Sequence, residues 1–410
     1  MLMGSAAATR PSAGRDVKLR PPHFIGIGLV ALALVAAVVV QLTGLGKGPM
    51  RFGLTTVTGV VGSEKLEFFQ DPAVQDVFAK HGYEVNVTKS GSWRMAELDD
   101  IESNDFAFPA SEMAAQRIEQ THKSAVASTH KPFFSPMAIA TFEPILTILE
   151  QADVASKSPD GRWQFDMAKY LELVKADTRW NQLPGADKSY PSPRTVMLTS
   201  TDVRTSNSAG MYLSLASYVL NGNSVVSSTS QADTYLPELE RLFLGQGYSG
   251  TSSTAPFDDY LSQGSGAVPM VMIYEGQFLE EQLKPNSRIQ PGMTLAYPSP
   301  TAFSVHTGVS FSEHGTAIMQ LLETDPELAS LLAAHGFRPQ GQNAGVFQSF
   351  LAEHALESQY PATSSFVNVA QEPSYETLDY MLTKIGDAYT QGGAPPPVSE
   401  EPTNTSGGTP

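Results

Sequence analysis

The chain has 410 residues, 41% of them hydrophobic, and a formal net charge of −16 at pH 7. Its length favours two or three compact units, and its acidity argues against binding to nucleic acid or to anionic lipid surfaces, since both repel a negative protein. The sequence contains no cysteine, which excludes disulfide bonds, thiolate metal sites, cysteine nucleophiles and a lipid-modified cysteine anchor.

The first part of the chain predicts a membrane anchor. Residues 1–21 are rich in small residues and more basic than acidic, which indicates a disordered cytoplasmic arm. No charged residue lies between Arg20 and Lys47, and this length can cross a bilayer. We therefore expect a single transmembrane helix at residues 22–44, with the rest of the chain outside the cytoplasm. A cleaved signal peptide is the alternative, although no clear small-x-small cleavage site follows the apolar stretch.

Strand-like runs alternate with helix-like patterns from residue 51 onward. This alternation predicts an α/β body with mostly parallel sheets. Helical patterns are expected to end at Gly82, Gly245 and Gly336. Residues 389–410 are predicted to form a disordered tail, because the chain end is rich in Gly, Pro, Ser and Thr. The strand-like runs are Arg51–Val57, Glu84–Thr88, Phe106–Phe108, Met137–Thr141, Thr195–Thr199, Val268–Tyr274, Thr294–Tyr297 and Ala302–Val309.

Polar turns follow several of these strands. Ser63 follows the first strand, Ser92 and Arg94 follow the second, and Tyr274 and Glu275 follow a later one. Ligands of open α/β sheets sit beyond the carboxyl ends of the strands, where helices begin. Each turn alone is explained by helix capping, but the set predicts a binding cleft.

Residues 196–212 give the most informative pattern of the chain. An apolar strand enters a turn that contains Ser206, Asn207 and Ser208, and an apolar helix follows. A helix N-terminus offers unpaired N–H donors and partial positive charge, so this turn is a candidate cradle for an anion. The alternative is an ordinary capped helix.

Two arginines are candidate clamps for a carboxylate or another oxyanion. Arg94 and Arg204 both lie in polar turns, and a guanidinium binds oxyanions through two parallel hydrogen bonds. The alternative for Arg204 is an ion pair with Asp202, two positions away.

Three patterns that suggest a catalytic or cofactor site are rejected because their neighbouring residues or their spacing do not fit such a site. Gly245–Gly250 matches the spacing of a dinucleotide-binding turn but follows a helix instead of a strand. Ser128–Lys131 matches a serine acyl-transfer motif but is followed directly by Pro132, within an extended region. The histidines lack metal-ligand spacing. We therefore expect no cofactor, no metal and no catalytic residues.

With these residues in view, the body, roughly residues 51–386, resembles the type II periplasmic solute-binding proteins, particularly membrane-tethered actinobacterial members. The resemblance implies two α/β lobes joined by two crossing strands, near Pro132–Ala140 and Leu295–Ser304, with a ligand between the lobes. It also implies service to an ABC importer, although the missing lipobox cysteine departs from the family pattern. The matching stretches are Gly62–Phe69, Ser90–Ser92, Thr199–Ser208, Ile273–Phe278 and Tyr297–Ala302.

The hypothesis is thus a membrane-tethered, extracytoplasmic protein that captures a small polar or anionic solute without catalysis. Lobe 1 is expected at residues 51–136 and 300–388, and lobe 2 at residues 137–299. Two alternatives stay open: an envelope sensor or interaction protein that kept the fold without transport, and a serine hydrolase of the cell envelope. The predicted ligand-binding residues are Ser63, Ser92, Arg94, Ser206, Asn207, Ser208, Tyr274 and Glu275.

Overall fold

The structure is a computed structural model that describes residues 53–247, 250, 252 and 254–392. These residues belong to one compact unit, Gly53–Pro410. The predicted cytoplasmic arm and transmembrane helix lie outside the described residues, as does the tail beyond residue 392. In the part that is described, none of the helices has the length and apolar character that crossing a bilayer requires.

The described residues form ten strands, of which β4 is much the longest. β4 has fifteen residues, and its second half is buried almost continuously. The strands are β1 (Thr55–Val61), β2 (Tyr83–Lys89), β3 (Phe106–Phe108), β4 (Ser128–Phe142), β5 (Ala155–Lys157), β6 (Trp163–Asp166), β7 (Met270–Tyr274), β8 (Met293–Ser299), β9 (Phe303–Ser310) and β10 (Arg338–Pro339).

Helices cover the strands on both sides of β4, with short 3₁₀ turns between them. The α-helices are α1 (Leu66–Gln70), α2 (Pro72–Lys80), α3 (Glu112–Thr121), α4 (Glu143–Gln151), α5 (Met167–Lys175), α6 (Ala186–Ser189), α7 (Asn207–Leu220), α8 (Thr229–Leu244), α9 (Thr254–Gln263), α10 (Glu275–Leu283), α11 (Glu313–Thr324), α12 (Pro326–Ala334), α13 (Val346–Glu353) and α14 (Tyr375–Gln391).

The strands hydrogen-bond in the order β2-β1-β3-β9-β4-β8-β6-β5, with β7 and β10 also paired to β4. The first half of β4 pairs with β9, and its second half pairs with β7 and β8. The expectation of mostly parallel sheets is wrong for this order. Only β1–β2, β1–β3 and β6–β8 are parallel among the described pairings, because β4 and β9 run against their neighbours.

Several predicted elements lie where the sequence placed them. The strand Phe106–Phe108 is confirmed in full, and α2 and α12 end two residues before Gly82 and Gly336. Both glycines have φ values near +80°, at +87° and +77°, a conformation that glycine adopts without a Cβ penalty. Thr195–Thr199, in contrast, makes only isolated bridges.

The predicted tail begins too early, because α14 continues through Gln391. Tyr389 explains the difference. Its ring is buried, and its hydroxyl donates a 2.6 Å hydrogen bond to the carbonyl of Phe243 at the end of α8. An aromatic side chain that packs in this way anchors the last turn of the helix to the body.

The first five strands of the order, β2-β1-β3-β9-β4, hold the site in place through an aromatic core. Phe69 packs on Phe78, Phe106 and Phe108, with ring centroids 6.0–6.4 Å apart. All four rings are buried, and each buried aromatic side chain contributes several kcal/mol of stability, since replacing one by Ala typically costs about 3–5 kcal/mol. This core fixes the ends of β1 and β3, from which the loops at the candidate site start.

His335 links three separate elements: the end of α12, helix α10 and the N-cap of α2. His335, after α12, lies with Nδ1 2.5 Å from Glu280 Oε1 on α10 and with Nε2 3.0 Å from Asp71 Oδ2. Burial alone would lower the pKa of His335, but the two carboxylates outweigh it and raise the pKa. Burial raises the pKa of Glu280. Because both pKa values are raised in the folded state, each group makes the free energy of unfolding larger at low pH than at high pH.

Replacement of His335 by Gln should therefore reduce stability in a pH-dependent way. The folded-state pKa is raised above the ordinary value of 6.5, so the stabilisation is fully present below pH 6.5 and is lost as pH rises through the folded-state pKa. We expect a loss of about 1–3 kcal/mol near pH 6, the usual worth of hydrogen bonds to charged groups, and a smaller loss near pH 8.5. Urea unfolding at several pH values measures this.

His354→Gln is the control, because His354 is exposed, its ring stacks on Phe350, and its Nδ1 lies near the Phe350 carbonyl without a carboxylate partner among the described residues. A stability difference between wild type and His335→Gln that does not change with pH would contradict the assignment.

Candidate ligand site at the strand ends

A small cavity that opens to solvent lies beyond the carboxyl ends of β1, β2 and β7, at the start of α7. These four elements come from three distant parts of the sequence. The lining residues are Gly62, Ser63, Glu64, Lys89, Ser90, Gly91, Ser92, Arg94, Leu98, Thr205, Ser206, Asn207, Ser252 and Tyr274. The lining therefore offers hydroxyl, amide and charged groups beside apolar surface of similar extent.

Strand register brings the first two loops together. β1 and β2 are parallel, and Val61 at the end of β1 lies opposite Lys89 at the end of β2. The backbone N–H of Ser90 donates to the carbonyl of Val61 at 3.0 Å, which continues the pairing by one residue. The loops that contain Ser63 and Ser92 consequently leave the same sheet edge side by side.

The loop after β2 packs tightly against the turn before α7. A Cβ atom on Gly91 would lie 2.5 Å from the carbonyl oxygen of Thr205. A second close approach joins the same two segments: a Cβ atom on Gly210, in the first turn of α7, would lie 2.8 Å from Nε1 of the buried Trp93. Only glycine permits these two approaches, so the two glycines set the distance between opposite walls of the cavity.

Helix α7 begins at the cavity without a side-chain cap. Its N-cap residue, Ser206, makes no capping hydrogen bond. The Ser206 hydroxyl lies 3.1 Å from the Ser208 hydroxyl, which in turn lies 2.7 Å from the Thr201 hydroxyl. The first-turn N–H groups of a helix have no intrahelical acceptor. The start of α7 thus offers backbone donors and partial positive charge that no cap hydroxyl uses.

Asn207 links three segments inside this wall. Its Oδ1 accepts a 2.6 Å hydrogen bond from Ser111, and its Nδ2 donates to the Tyr274 hydroxyl oxygen at 3.2 Å. The same Ser111 hydroxyl caps α3 by accepting from the N–H of Ala114. Burial raises the pKa of Tyr274 well above its ordinary value, so the phenol stays protonated and can donate.

The charged residues of the cavity are Glu64, Lys89 and Arg94. Glu64 forms an ion pair with the fully buried Lys65. Arg94 is half-buried, and its guanidinium has no hydrogen-bond or ion-pair partner within the described residues. The guanidinium of Arg94 is the group best suited to hold an oxyanion at this position.

Six of the eight predicted site residues line the cavity: Ser63, Ser92, Arg94, Ser206, Asn207 and Tyr274. Ser208 does not. It lies behind Ser206, fully buried, and its hydroxyl bonds to Thr201. Arg204 is also absent from the lining, because Nε and Nη2 bind Asp202 at 2.9 and 2.6 Å. The internal ion pair is therefore the correct interpretation of Arg204.

Glu275, the remaining predicted site residue, lies away from the cavity. Its two carboxylate oxygens accept hydrogen bonds from Nε and Nη2 of Arg338 at 2.8 and 2.9 Å, and one of them also accepts from Tyr297 at 2.7 Å. Glu275 and Arg338 are both fully buried. A carboxylate that is satisfied in this way fixes the start of α10 and has little left to offer a ligand.

The sequence analysis missed Glu64, Lys89 and Thr205 as lining residues. Glu64 directly follows the predicted Ser63, and Lys89 ends the strand that leads to Ser92, so both follow from the same strand-end argument. Thr205 could not be found in this way, because it contributes through the close approach of its carbonyl to Gly91.

Exchange of Gly91 for Ala should disturb the cavity and the fold together. The new methyl would meet a backbone carbonyl, which cannot move without shifting the turn before α7, and overpacking of this kind costs about 1–3 kcal/mol. Denaturant unfolding gives the loss. Gly345→Ala is the matched control, since Gly345 has φ −81° and open space around the new methyl. Equal stabilities of the two variants would contradict the described packing.

Comparison with known proteins identifies the fold but not a relative in sequence. No family profile matches the chain, and no curated protein matches it. Among solved structures, a periplasmic thiamin binding protein matches with a TM-score of 0.50 at 12% identity, covering 82% of this chain and 96% of the other.

Two further matches have the same TM-score of 0.50. They are the apo ferric ion-binding protein A of Pasteurella haemolytica (10% identity, 84% of this chain, 99% of the other) and the iron-bound HitA of Pseudomonas aeruginosa (11% identity, 81% and 99%). At these identities the likeness establishes the architecture alone. The chain has the mixed α/β fold of the type II periplasmic solute-binding proteins.

Proposed function

We propose that this protein captures a small polar or anionic solute outside the cytoplasm and delivers it to an ABC importer, without catalysing a reaction. One observation carries the proposal: hydroxyl groups, the uncapped start of α7 and the guanidinium of Arg94 converge on a single cavity at the strand ends. This is where ligands of open α/β sheets bind.

The structural neighbours support a binding role. They include a thiamin binding protein, a ferric ion-binding protein and an iron-bound protein, so the shared architecture holds small solutes in other proteins. Proteins of this kind bind without transforming their ligand, which is consistent with a site built from hydroxyls and amides. The ligand of the present chain follows from its own cavity, whose donors favour a negatively charged group.

Local donors must act against the charge of the whole protein. The chain carries a net charge of −16, which repels an approaching anion at long range. At physiological ionic strength this repulsion is screened beyond about 8 Å. Hydrogen bonds from the Arg94 guanidinium, the α7 start and the serine hydroxyls act within that distance and decide the binding free energy.

We further propose that the protein has two lobes, residues 51–136 with 300–388 and residues 137–299, which close on the ligand. The cavity supports this division, since Ser63 and Ser92 come from the first set and Ser206 and Tyr274 from the second. β4 and the segment from β8 to β9 connect the two sets. Ligand that bridges the walls would shift the population towards the closed state, because it contacts both sets only there.

Membrane tethering through residues 22–44 is part of the proposal. The uncharged stretch between Arg20 and Lys47 supports it, with the preceding basic arm in the cytoplasm and the body on the other side. A retained anchor would keep the binding body beside the permease. It would also replace the lipid anchor, which this chain cannot form without a cysteine.

Arg94→Gln and Ser206→Ala should each weaken ligand binding and leave the fold nearly intact. Arg94 has no partner in the described structure, and Ser206 provides no cap, so the unliganded melting temperature should stay within about 2 °C of wild type. Loss of a hydrogen bond to a charged group costs about 1.5–3 kcal/mol, or about 10–100-fold in Kd. Thermal shift against a metabolite library identifies the ligand, and calorimetry gives the affinities.

Arg117→Gln is the control, because Arg117 lies outside the cavity and pairs with Glu97 and Asp379. Wild-type affinity in the Arg94 and Ser206 variants would disprove this site. A library that leaves the wild-type melting temperature unchanged would instead favour a protein that kept the fold without small-ligand binding.

The native protein should stay in the membrane fraction after alkaline carbonate washing, and its N-terminal sequence should begin before residue 22. Both outcomes follow from a retained hydrophobic helix, which peripheral association cannot imitate. A mature N-terminus near Leu45 would show that the segment is a cleaved signal peptide.

A further inference from the structure

A charged cluster lies beneath one wall of the cavity and is not explained by the hydroxyl cradle. It consists of Glu64, Lys65 and His306. The Lys65 ammonium contacts the Glu64 carboxylate, the His306 Nδ1 at 3.0 Å and the face of the Phe108 ring at 4.9 Å. Lys65 and His306 are fully buried, and the Glu64 side chain is 5% exposed. Fixed charge this deep is costly unless it is paired.

The contacts indicate which nitrogen of His306 carries its proton and which group the Lys65 ammonium faces. Burial and the neighbouring Lys65 ammonium lower the pKa of His306 well below its ordinary value, so the ring is neutral. Its Nδ1 faces an ammonium, which can only donate, and Nδ1 therefore accepts. The Lys65 charge is directed at Glu64 Oε1. This contact holds the Glu64 carboxylate in place, and the buried Lys65 ammonium balances its negative charge.

The second oxygen of Glu64 is not used by the protein. Oε2 has no hydrogen-bond partner in the described part of the chain, and Glu64 lines the cavity that Arg94 and Ser206 also line. An ionised carboxylate accepts hydrogen bonds and cannot donate. Oε2 is not one of the buried unpartnered atoms of the described residues, so it is open to the cavity, where a donor from a ligand can reach it.

From this geometry we infer that Glu64 is a specificity-determining residue, and that the ligand is a small anion that carries its own O–H or N–H donor beside the anionic group. The inference rests on the proposed function, because it concerns the same cavity. The donors at Arg94 and the start of α7 hold the negative group, and Glu64 Oε2 accepts from the ligand's own donor.

This arrangement discriminates against anions that lack a donor. An anion with only lone pairs on its surface would face Glu64 Oε2 across the cavity without a hydrogen between them. Such an anion is repelled by the Glu64 carboxylate, and it displaces water from Oε2 without donating a hydrogen bond in its place. Both effects weaken its binding. Hydroxy acids, amino acids and protonated oxyanions share the required chemistry.

The test uses the full-length chain in detergent micelles, with binding measured by isothermal titration calorimetry at pH 7. The probes form matched sets: inorganic phosphate against sulfate, and lactate and L-alanine against propionate. In each set the donor-bearing and the donor-free probe have similar size. We expect at least one donor-bearing probe to bind about 10–100-fold tighter than its donor-free counterpart, the range for one hydrogen bond to a charged group.

Glu64→Gln should reduce this discrimination about tenfold or more. Glutamine keeps the size of the side chain but replaces one acceptor oxygen with an N–H₂ donor, which a donor-free anion can use. Glu67→Gln is the matched control, because Glu67 lies on α1 outside the lining of this cavity and pairs with Lys284. This control should discriminate like wild type.

Each other result has a distinct meaning. Equal binding of donor-bearing and donor-free probes, or unchanged discrimination in Glu64→Gln, would overturn the role of Glu64 and leave the proposed function standing. Binding of none of the five probes by wild type would overturn this inference, whereas the proposed function is decided separately by the thermal shift against the metabolite library. If Glu64→Gln does not fold because Lys65 loses its partner, the double variant Glu64→Gln/Lys65→Met removes the whole pair, and the same loss of discrimination is expected.

Discussion

The fold depends on one strand that belongs to both parts of the sheet. β4 pairs with β9 along its first half and with β7 and β8 along its second half. Its backbone hydrogen bonds are therefore satisfied by partners from both sides of the molecule, and neither side can move without bending β4 or its neighbours. Any relative motion of the cavity walls has to be taken up at this strand and at the β8–β9 connection.

The candidate site depends on how closely two backbones approach. Gly91 faces the carbonyl of Thr205, and Gly210 faces the indole nitrogen of Trp93. These contacts bring the strand-end loops close to the start of α7, so serine hydroxyls from several segments line one cavity. Larger residues in place of the glycines would hold the walls apart.

Much of this architecture could be predicted from the sequence because its signals are local. The run Phe106–Phe108, the stop at Gly336 and the polar turns at Ser63, Ser92 and Ser206 all occupy the predicted positions. The strand-end rule then placed those turns at one edge. It worked although the sheet is mixed, because β1, β2 and β7 end at the cavity regardless of the direction in which β4 and β9 run.

The features that were missed depend on partners distant in the sequence. Glu275 follows Tyr274 in a strand-end turn, and nothing nearby reveals that it binds Arg338, 63 positions later. The contact of Lys65 with His306 spans 241 positions. β5 has two exposed residues out of three and lacks an apolar pattern. Thr195–Thr199 is apolar but forms only isolated bridges, because burial in a core does not require a place in a sheet.

The uncapped start of α7 has a consequence for how such proteins diversify. Ser206 contributes no cap, and Arg94 has no partner among the described residues, so the scaffold places few demands on either side chain. In the proposed site, evolution or a protein engineer can exchange these two residues to recruit a different solute while the β4 framework and the aromatic core stay unchanged. A change of ligand at this site would then leave the architecture intact.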